Sequence, residues 1–177
     1  MGGRMNHLHE PLLPITIRKI EEADLPFLHG ESEVPYLQFL YHMAYQGMKR
    51  GEQMMWVVEA AEEGIVGHIF VQFKSLHATL ADGTERAYFY SFHVYSDHRS
   101  KGIGTRLLRF LEADLKKRGF QIVTLTVEKE NKRARRFYER NGYLIAGTEV
   151  VNVRSDHVNG KWERIEKTAW RMEKRIL

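Results

Sequence analysis

YFYSFHVYSDHRSKGIGTRLLRFL, residues 88–111, carries most of the information about how this chain is built. The aromatic run from Tyr88 to Tyr95 reads as a strand, and Leu107, Leu108 and Leu111 then recur at helical spacing. Between them lies a polar turn, Arg99-Ser100-Lys101-Gly102-Ile103-Gly104-Thr105. The first N–H groups of a helix have no intrahelical partner and carry partial positive charge, so a helix start attracts anions. Glycines there let a ligand approach the backbone and permit positive φ. The turn therefore reads either as a strand–loop–helix anion cradle or as a simple chain reversal. Two other phosphate motifs fail at named positions: Leu107 stands where a dinucleotide fingerprint needs its third glycine, and no Gly-Lys-Ser/Thr follows as in a Walker loop.

Moving outward, Thr105–Arg118 is an amphipathic helix with Leu107, Leu108, Leu111 and Leu115 on one face, closed by Gly119. Phe120–Val127 alternates as a strand, so the unit around the glycine turn is strand–helix–strand, which implies a parallel pair with a right-handed crossover. Asn131–Arg140 is a second helix, capped by Asn131 and stopped at Asn141-Gly142. Tyr143–Val153 and Trp162–Lys174 form a final hairpin with its turn at Asn159-Gly160. On the other side, Ile15–Ile20 is a strand, Glu21–Gly30 a short helix with Pro26 near its first turn, and Glu33–Arg50 a longer helix. Gln53–Ala61, Ile65–Lys74 and Arg86–Tyr95 form an antiparallel meander, with Asp82-Gly83 at the tip of the Ser75–Glu85 loop. The expectation is a mixed α/β sheet in one domain, residues 15–177, behind a flexible arm, residues 1–14.

Composition narrows the function. The chain has 177 residues, 43% apolar, 28% charged, a formal net charge of +4 and no cysteine. Disulfides, thiolate metal sites and a cysteine nucleophile are excluded, and a reducing cytoplasm fits. No apolar run is long enough to span a bilayer, and the N-terminus lacks the apolar middle of a secretory signal. The net positive charge suits a polyanionic ligand. No helix presents a basic ladder with interleaved aromatics, which argues against general nucleic-acid binding. His7 and His9 in the arm have no further ligand for a metal, and no metal is expected.

Two stretches carry a resemblance. Arg99-Ser100-Lys101-Gly102-Ile103-Gly104, following Phe92-His93-Val94, fits the pattern Arg/Gln-x-x-Gly-x-Gly/Ala after a strand. Asn131-Lys132-Arg133-Ala134-Arg135-Arg136-Phe137-Tyr138-Glu139-Arg140-Asn141-Gly142-Tyr143 fits Asn-x-x-Ala-x-x-Phe/Leu-Tyr-Glu-x-x-Gly-Phe/Tyr. With these motifs in this element order the chain resembles the GNAT superfamily of N-acetyltransferases. The resemblance implies a fold with an antiparallel N-terminal meander, a central parallel pair splayed at the CoA site and a C-terminal hairpin. It implies acetyl-CoA as co-substrate, with the pyrophosphate on the amides from Ser100 to Thr105 (Ser100, Lys101, Gly102, Ile103, Gly104, Thr105) beside Arg99. The pantetheine would lie along Phe92, His93 and Val94 and meet Asn131 from the other side.

The implied reaction is direct attack of a primary amine on the thioester. A backbone N–H near Val94 would stabilise the oxyanion, and Tyr138 would protonate the leaving thiolate. The base is not assigned. Tyr88 stands six residues before Val94, where some members have Glu; Glu128 and His93 are the other candidates, beside a water relay or an amine that arrives neutral. Two alternatives stay open, an acyltransferase for a longer acyl group and a non-catalytic CoA-binding sensor. The acceptor would meet the two early helices, the Ser75–Glu85 loop and the hairpin, where Tyr36, Tyr41 and Tyr45 hint at a partly apolar cleft. A homodimer is also open, with the last strand pairing across two copies.

Overall fold

Five consecutive apolar residues, Met54–Val58, are buried on both sides of one strand, which requires a sheet covered on both faces. The computed structural model, which describes residues 13–28, 35–154 and 164–177, shows that sheet. Its elements are β1 (Ile15–Lys19), a 3-10 turn (Glu22–Phe27), α1 (Pro35–Lys49), β2 (Gln53–Ala60), β3 (Gly64–Gln72), β4 (Arg86–Val94), α2 (Ile103–Lys117), β5 (Ile122–Glu128), α3 (Lys132–Arg140), β6 (Leu144–Arg154) and β7 (Arg164–Arg175). The seven strands are ordered β1-β2-β3-β4-β5-β7-β6. Residues 1–12, 29–34 and 155–163 lie outside the described residues, and with them the expected arm, His7, His9 and the expected hairpin turn at Asn159-Gly160. The side chain of Tyr36 lies outside them too.

The alternation of β2 divides the core. Met54, Trp56 and Val58 face Leu107, Leu108, Leu111 and Leu115 of α2. Met55 and Val57 face Tyr41 and Ala44 of α1, with Leu28 and Phe70 beside them. Burying a leucine side chain fully contributes roughly 1.5–3 kcal/mol, so the α2 stripe is a main anchor of the sheet.

β4 and β5 form the parallel pair, and they are joined only at Arg86–Tyr88 against Ile122–Thr124. Beyond that the strands part, which is the splay the resemblance implied. β4 also carries a bulge: its register against β3 shifts between His68 and Phe70, and Ser91 there has φ 48°. A bulge turns the strand locally and re-aims the residues after it. Opposite that end, Gly67 is in register with Val94, and a Cβ on Gly67 would lie 2.7 Å from the His93 carbonyl oxygen. Only glycine lets β3 follow β4 so closely there.

Several sequence expectations change. The glycine turn is shorter than expected, because α2 begins at Ile103, whose side chain is 1% exposed and pins the first turn to the core. The early helix is a 3-10 turn with Pro26 in its second half; the Glu21 and Asp24 side chains cap it reciprocally, and Arg18 grips Asp24 at 2.7 and 2.9 Å. β3 stops at Gln72, and Lys74 forms an isolated bridge to Asp82 that closes the following loop. The second half of the last strand, Ala169–Arg175, has β5 on one edge and β6 along the other, so it is not open to a second copy, whereas Arg164–Thr168 pairs with β6 alone. Among the described residues the outer strand on that side is β6.

Candidate functional site

The fork between β4 and β5 opens into a cleft of about 580 Å³. The end of β4 forms one wall through Phe92, His93 and Val94; the turn before α2 supplies Arg99, Ser100 and Gly102, and the helix start Gly104 and Thr105. α3 forms the opposite wall through Asn131, Ala134, Phe137 and Tyr138.

The geometry of the turn follows from its sequence. Ser100 has φ 63° and Gly102 has φ 76°, so the backbone is twice left-handed within three residues. Such conformations turn successive N–H groups toward one side, forming an anion nest. The bond from Arg106 N–H to Gly102 oxygen is the first of the α2 ladder, so the amides of Ile103, Gly104 and Thr105 precede it. At Gly104 a Cβ would sit 3.1 Å from Phe137 Cζ and 3.3 Å from Phe92 Cζ. Those two rings stack at 5.8 Å and 20° beneath the glycine, joining α3 to β4 across the floor of the cleft.

Ten of the expected site residues line this cleft: Phe92, His93, Val94, Arg99, Ser100, Gly102, Gly104, Thr105, Asn131 and Tyr138. Two do not. The Ile103 side chain is in the core, leaving only its amide for a ligand, and Lys101 is exposed and off the wall. Arg99 folds back, its Nε donating to the Val94 carbonyl at 2.8 Å. Asn131 Oδ1 accepts from Ala134 N–H at 3.0 Å, so the residue caps α3 as well as facing the cleft.

Sequence reasoning missed five lining residues, Ala134 among them. Arg133, Phe137 and Arg140 fall with Ala134 on one helical stripe of α3, and that spacing was the available signal. His98 is buried beneath the turn, with Nε2 2.6 Å from Glu63 Oε2. This contact ties the β2–β3 turn to the loop, and no local pattern announces it.

Tyr138 is 8% exposed and packs against Phe89, Phe92 and Tyr143. Burial, and secondarily the nearby Tyr88, push its phenol well above the ordinary value. It therefore holds its proton at any physiological pH. On the α1 side of the fork, Tyr88 Oη lies 2.9 Å from Thr126 Oγ1. The base candidates are also placed. The Glu128 carboxylate pairs with Lys167 at 3.4 Å, and the His93 ring stacks on His68 at 5.7 Å. Burial, with His93 adding to it, pushes the His68 imidazole down to about 3.

The expected aromatic cleft on α1 is not formed by Tyr41 or Tyr45. Tyr41 is buried edge-on against His68 and Phe70, and Tyr45 lies under the Lys49 ammonium at 4.9 Å. The aromatic groups at the α1 side of the fork are Tyr88 and Tyr90, stacked at 5.9 Å, with His93 and Tyr95 beyond the bulge.

The family model for the acetyltransferase (GNAT) family matches residues 15–143, most of the chain. The chain belongs to the GNAT acetyltransferase family. An N-acetyltransferase from Bacillus subtilis, YycN, described as uncharacterized, is 26% identical over 98 residues, 55% of this chain and 60% of that protein. The matched region thus spans less than two thirds of that relative. Among solved structures, the ribosomal-protein-S18-alanine N-acetyltransferase of Escherichia coli superposes with a TM-score of 0.68 at 22% identity, covering 92% of this chain and 94% of that one. The spermidine N-acetyltransferase of Vibrio cholerae, solved with CoA and spermine, gives 0.64 at 22% identity, covering 91% and 95%. At such identity these structures speak for the fold. This member of the family has a seven-stranded mixed sheet, and the superposition shows that it shares their fold.

Proposed function

We propose that this GNAT enzyme transfers an acetyl group from acetyl-CoA to a primary amine of a small molecule or protein by direct attack, in the cytoplasm. The observation that carries the reading is the fork: two parallel strands part after Tyr88 and Thr124, with a helix start and a left-handed turn at the mouth of the opening. The residues fit the donor. The amides of Ile103, Gly104 and Thr105 suit a pyrophosphate, and the bare Gly104 keeps that approach open. The edge of β4 beyond Tyr88 is not paired with β5, so it suits an extended pantetheine, which bonds there as an added strand would. Cations on α3 suit the remaining phosphate charge.

In the reaction, a backbone N–H near Val94 stabilises the oxyanion that develops on the thioester carbonyl. Tyr138, kept protonated by its burial, donates to the leaving thiolate. A buried, protonated phenol in the cleft supports turnover over a purely CoA-sensing role.

The acceptor is tested with a panel that follows CoA release. It holds spermidine, spermine, free amino acids, an aminoglycoside and a peptide beginning with alanine. The reading expects turnover with at least one amine and acetyl-CoA binding in the micromolar range, about −8 kcal/mol. Absence of CoA binding would sink it.

A further inference from the structure

We propose that Glu63 and His98 are a positioning pair for the donor: they fasten the turn before α2 to the β2–β3 hairpin and so hold the anion nest in shape for the CoA pyrophosphate. The inference rests on the reading of the protein as an acetyl-CoA-dependent enzyme.

The nest is strained and needs holding. Ser100 is not a glycine, yet it stands at φ 63°, and Gly102 follows at φ 76°. A left-handed non-glycine residue costs free energy and persists only where its surroundings over-determine it. The turn itself does little of this. Residues 96, 97 and 99–102 are exposed. Ser96–His98 is one short 3-10 turn, with the His98 N–H on the Tyr95 carbonyl at 2.9 Å and the Arg99 N–H on the Ser96 carbonyl at 3.2 Å. A turn of that length has little stability of its own. The strained residues are strung between two buried side chains, His98 before them and Ile103 after them. Ile103 is held by the core under α2. His98 is held by Glu63.

The contact suits that task at both ends. His98 Nε2 lies 2.6 Å from Glu63 Oε2. A carboxylate only accepts, so the ring carries a proton on Nε2 and the bond runs in one direction. His98 Nδ1 is buried and has no partner among the described residues. An unmet buried nitrogen is a cost that a phenylalanine ring would not carry, so what the histidine supplies at this position is the bond to Glu63. The other end is anchored. Glu63 sits in a tight turn between Glu62 at φ 67° and Gly64 at φ 77°, with its N–H on the Ala60 carbonyl at 3.2 Å. The strands on either side are fixed in the core through Val57, Val58, Val66 and Ile69, each at most 1% exposed. Backbone bonding between β3 and β4 continues as far as the Tyr95 N–H on the Val66 carbonyl at 2.9 Å. Beyond that point the Glu63–His98 contact carries the attachment forward to the nest.

Glu63 is half-exposed and does not line the cleft. It acts through His98 on the backbone that follows. Without the bond His98 leaves its place, Ser100 relaxes toward negative φ, and the N–H groups turned to one side disperse. The quantity affected is affinity for the phosphates. Val94 and Tyr138, at the acetyl end, are set by β4 and α3 and keep their geometry.

The test is CoA affinity by calorimetry for Glu63→Ala, Glu63→Gln, His98→Phe and the Glu63→Ala/His98→Phe double variant. For the Glu63 variants kcat and KM for acetyl-CoA are measured as well, with the panel amine that turns over fastest. Glu63→Ala and His98→Phe should each weaken CoA binding roughly tenfold, the contribution of one hydrogen bond to a charged group. The double variant should bind no more weakly than either single variant, because all three lack the same contact. Glu63→Gln, whose amide oxygen still accepts from Nε2, should lie between the parent and Glu63→Ala. In the Glu63 variants KM for acetyl-CoA rises while kcat stays at the parent value. Unchanged CoA affinity in Glu63→Ala, losses that multiply in the double variant, or a fall in kcat at constant KM overturns the positioning pair and leaves the acetyltransferase reading intact. Should His98→Phe not fold, the Glu63 variants decide, since residues 61–64 are exposed. A parent enzyme that does not bind CoA overturns both. If the parent binds CoA and acetylates no amine of the panel, the affinities alone decide the pair.

Discussion

The two sides of the fork are built from different materials. The donor side is mostly backbone: left-handed residues at Ser100 and Gly102, the first amides of α2 and the open edge of β4. Its side chains serve mainly by being small or flat, as Gly104 is over the Phe92–Phe137 stack. The acceptor side is made of side-chain hydroxyls, rings and carboxylates from β2, β3, β4, β5, β6 and the Ser75–Glu85 loop. A backbone site recognises one constant ligand. A side-chain site can be altered one residue at a time while the sheet stays in place, and the proposed acceptor side has that character.

Substitutions can break that contrast. The largest effect is expected on the reaction itself. Tyr138→Phe should lower kcat by about 10²- to 10⁴-fold while acetyl-CoA affinity, measured by calorimetry, stays constant. Unchanged turnover would remove Tyr138 from the acid role. Next is Gly104→Glu, which drives a side chain into Phe137 and Phe92 and a negative charge against the amides at the helix start. Acetyl-CoA affinity should fall roughly a hundredfold, about 2.7 kcal/mol. Retained affinity would mean that the donor lies elsewhere.

Two further expected effects are on stability. The His68 imidazole is held at about 3 in the folded chain against an ordinary 6.5, so below pH 6.5 the unfolded state binds a proton that the folded state refuses. Stability should be full above that pH and decline by on the order of 1 kcal/mol per pH unit as the pH falls toward 3. His68→Phe should flatten this limb in denaturant titrations at a series of pH values. The smallest effect concerns Asp82. Burial opposes its ionisation, but N–H groups of Arg86, Thr84 and Glu85 at 2.8–3.0 Å outweigh it and hold the carboxyl at about 2. Its contribution is complete above the ordinary value of 3.8 and is lost as the pH falls through about 2. Asp82→Ala should cost about 1–3 kcal/mol at neutral pH. Local opening of the loop, read by hydrogen exchange, should also expose the Leu80 carbonyl that accepts from Thr124 Oγ1 at 2.6 Å.

The same contrast explains what could be read from the sequence. Apart from the wall made by Asn131 and α3, the donor side comes from one continuous stretch, Phe92–Thr105, and glycine positions report backbone shape directly. The strand–turn–helix reading was therefore legible, whereas the splay was an implication of the family resemblance. The start of α2 was misplaced because two glycines suggested loop, whereas burial of Ile103 fixes the helix two residues earlier. The acceptor side depends on pairs far apart in the chain: Tyr88 with Thr126, His68 with Ser91 and Arg171 with Glu149. Periodicity assigns such residues to a face but not to a partner. Tyr41 shows the difficulty: an aromatic on an amphipathic helix looks the same in sequence whether it walls a cleft or fills the core, and here it fills the core.

The place of β7 between β5 and β6 has a consequence for synthesis. A chain made only as far as residue 154 holds β5 beside β4 but has nothing on its other edge, since the strand that bonds there comes from residues 164–175. During that interval a row of N–H and C=O groups next to the nascent catalytic fork stands open to any passing strand. Entry of β7 closes that edge, and Ile176 N–H bonding to the Gln121 carbonyl fastens its far end. The fork is thus held on its β5 side by a segment made after every residue that lines the cleft, so ribosome-bound intermediates should acquire the sheet's core before they acquire activity.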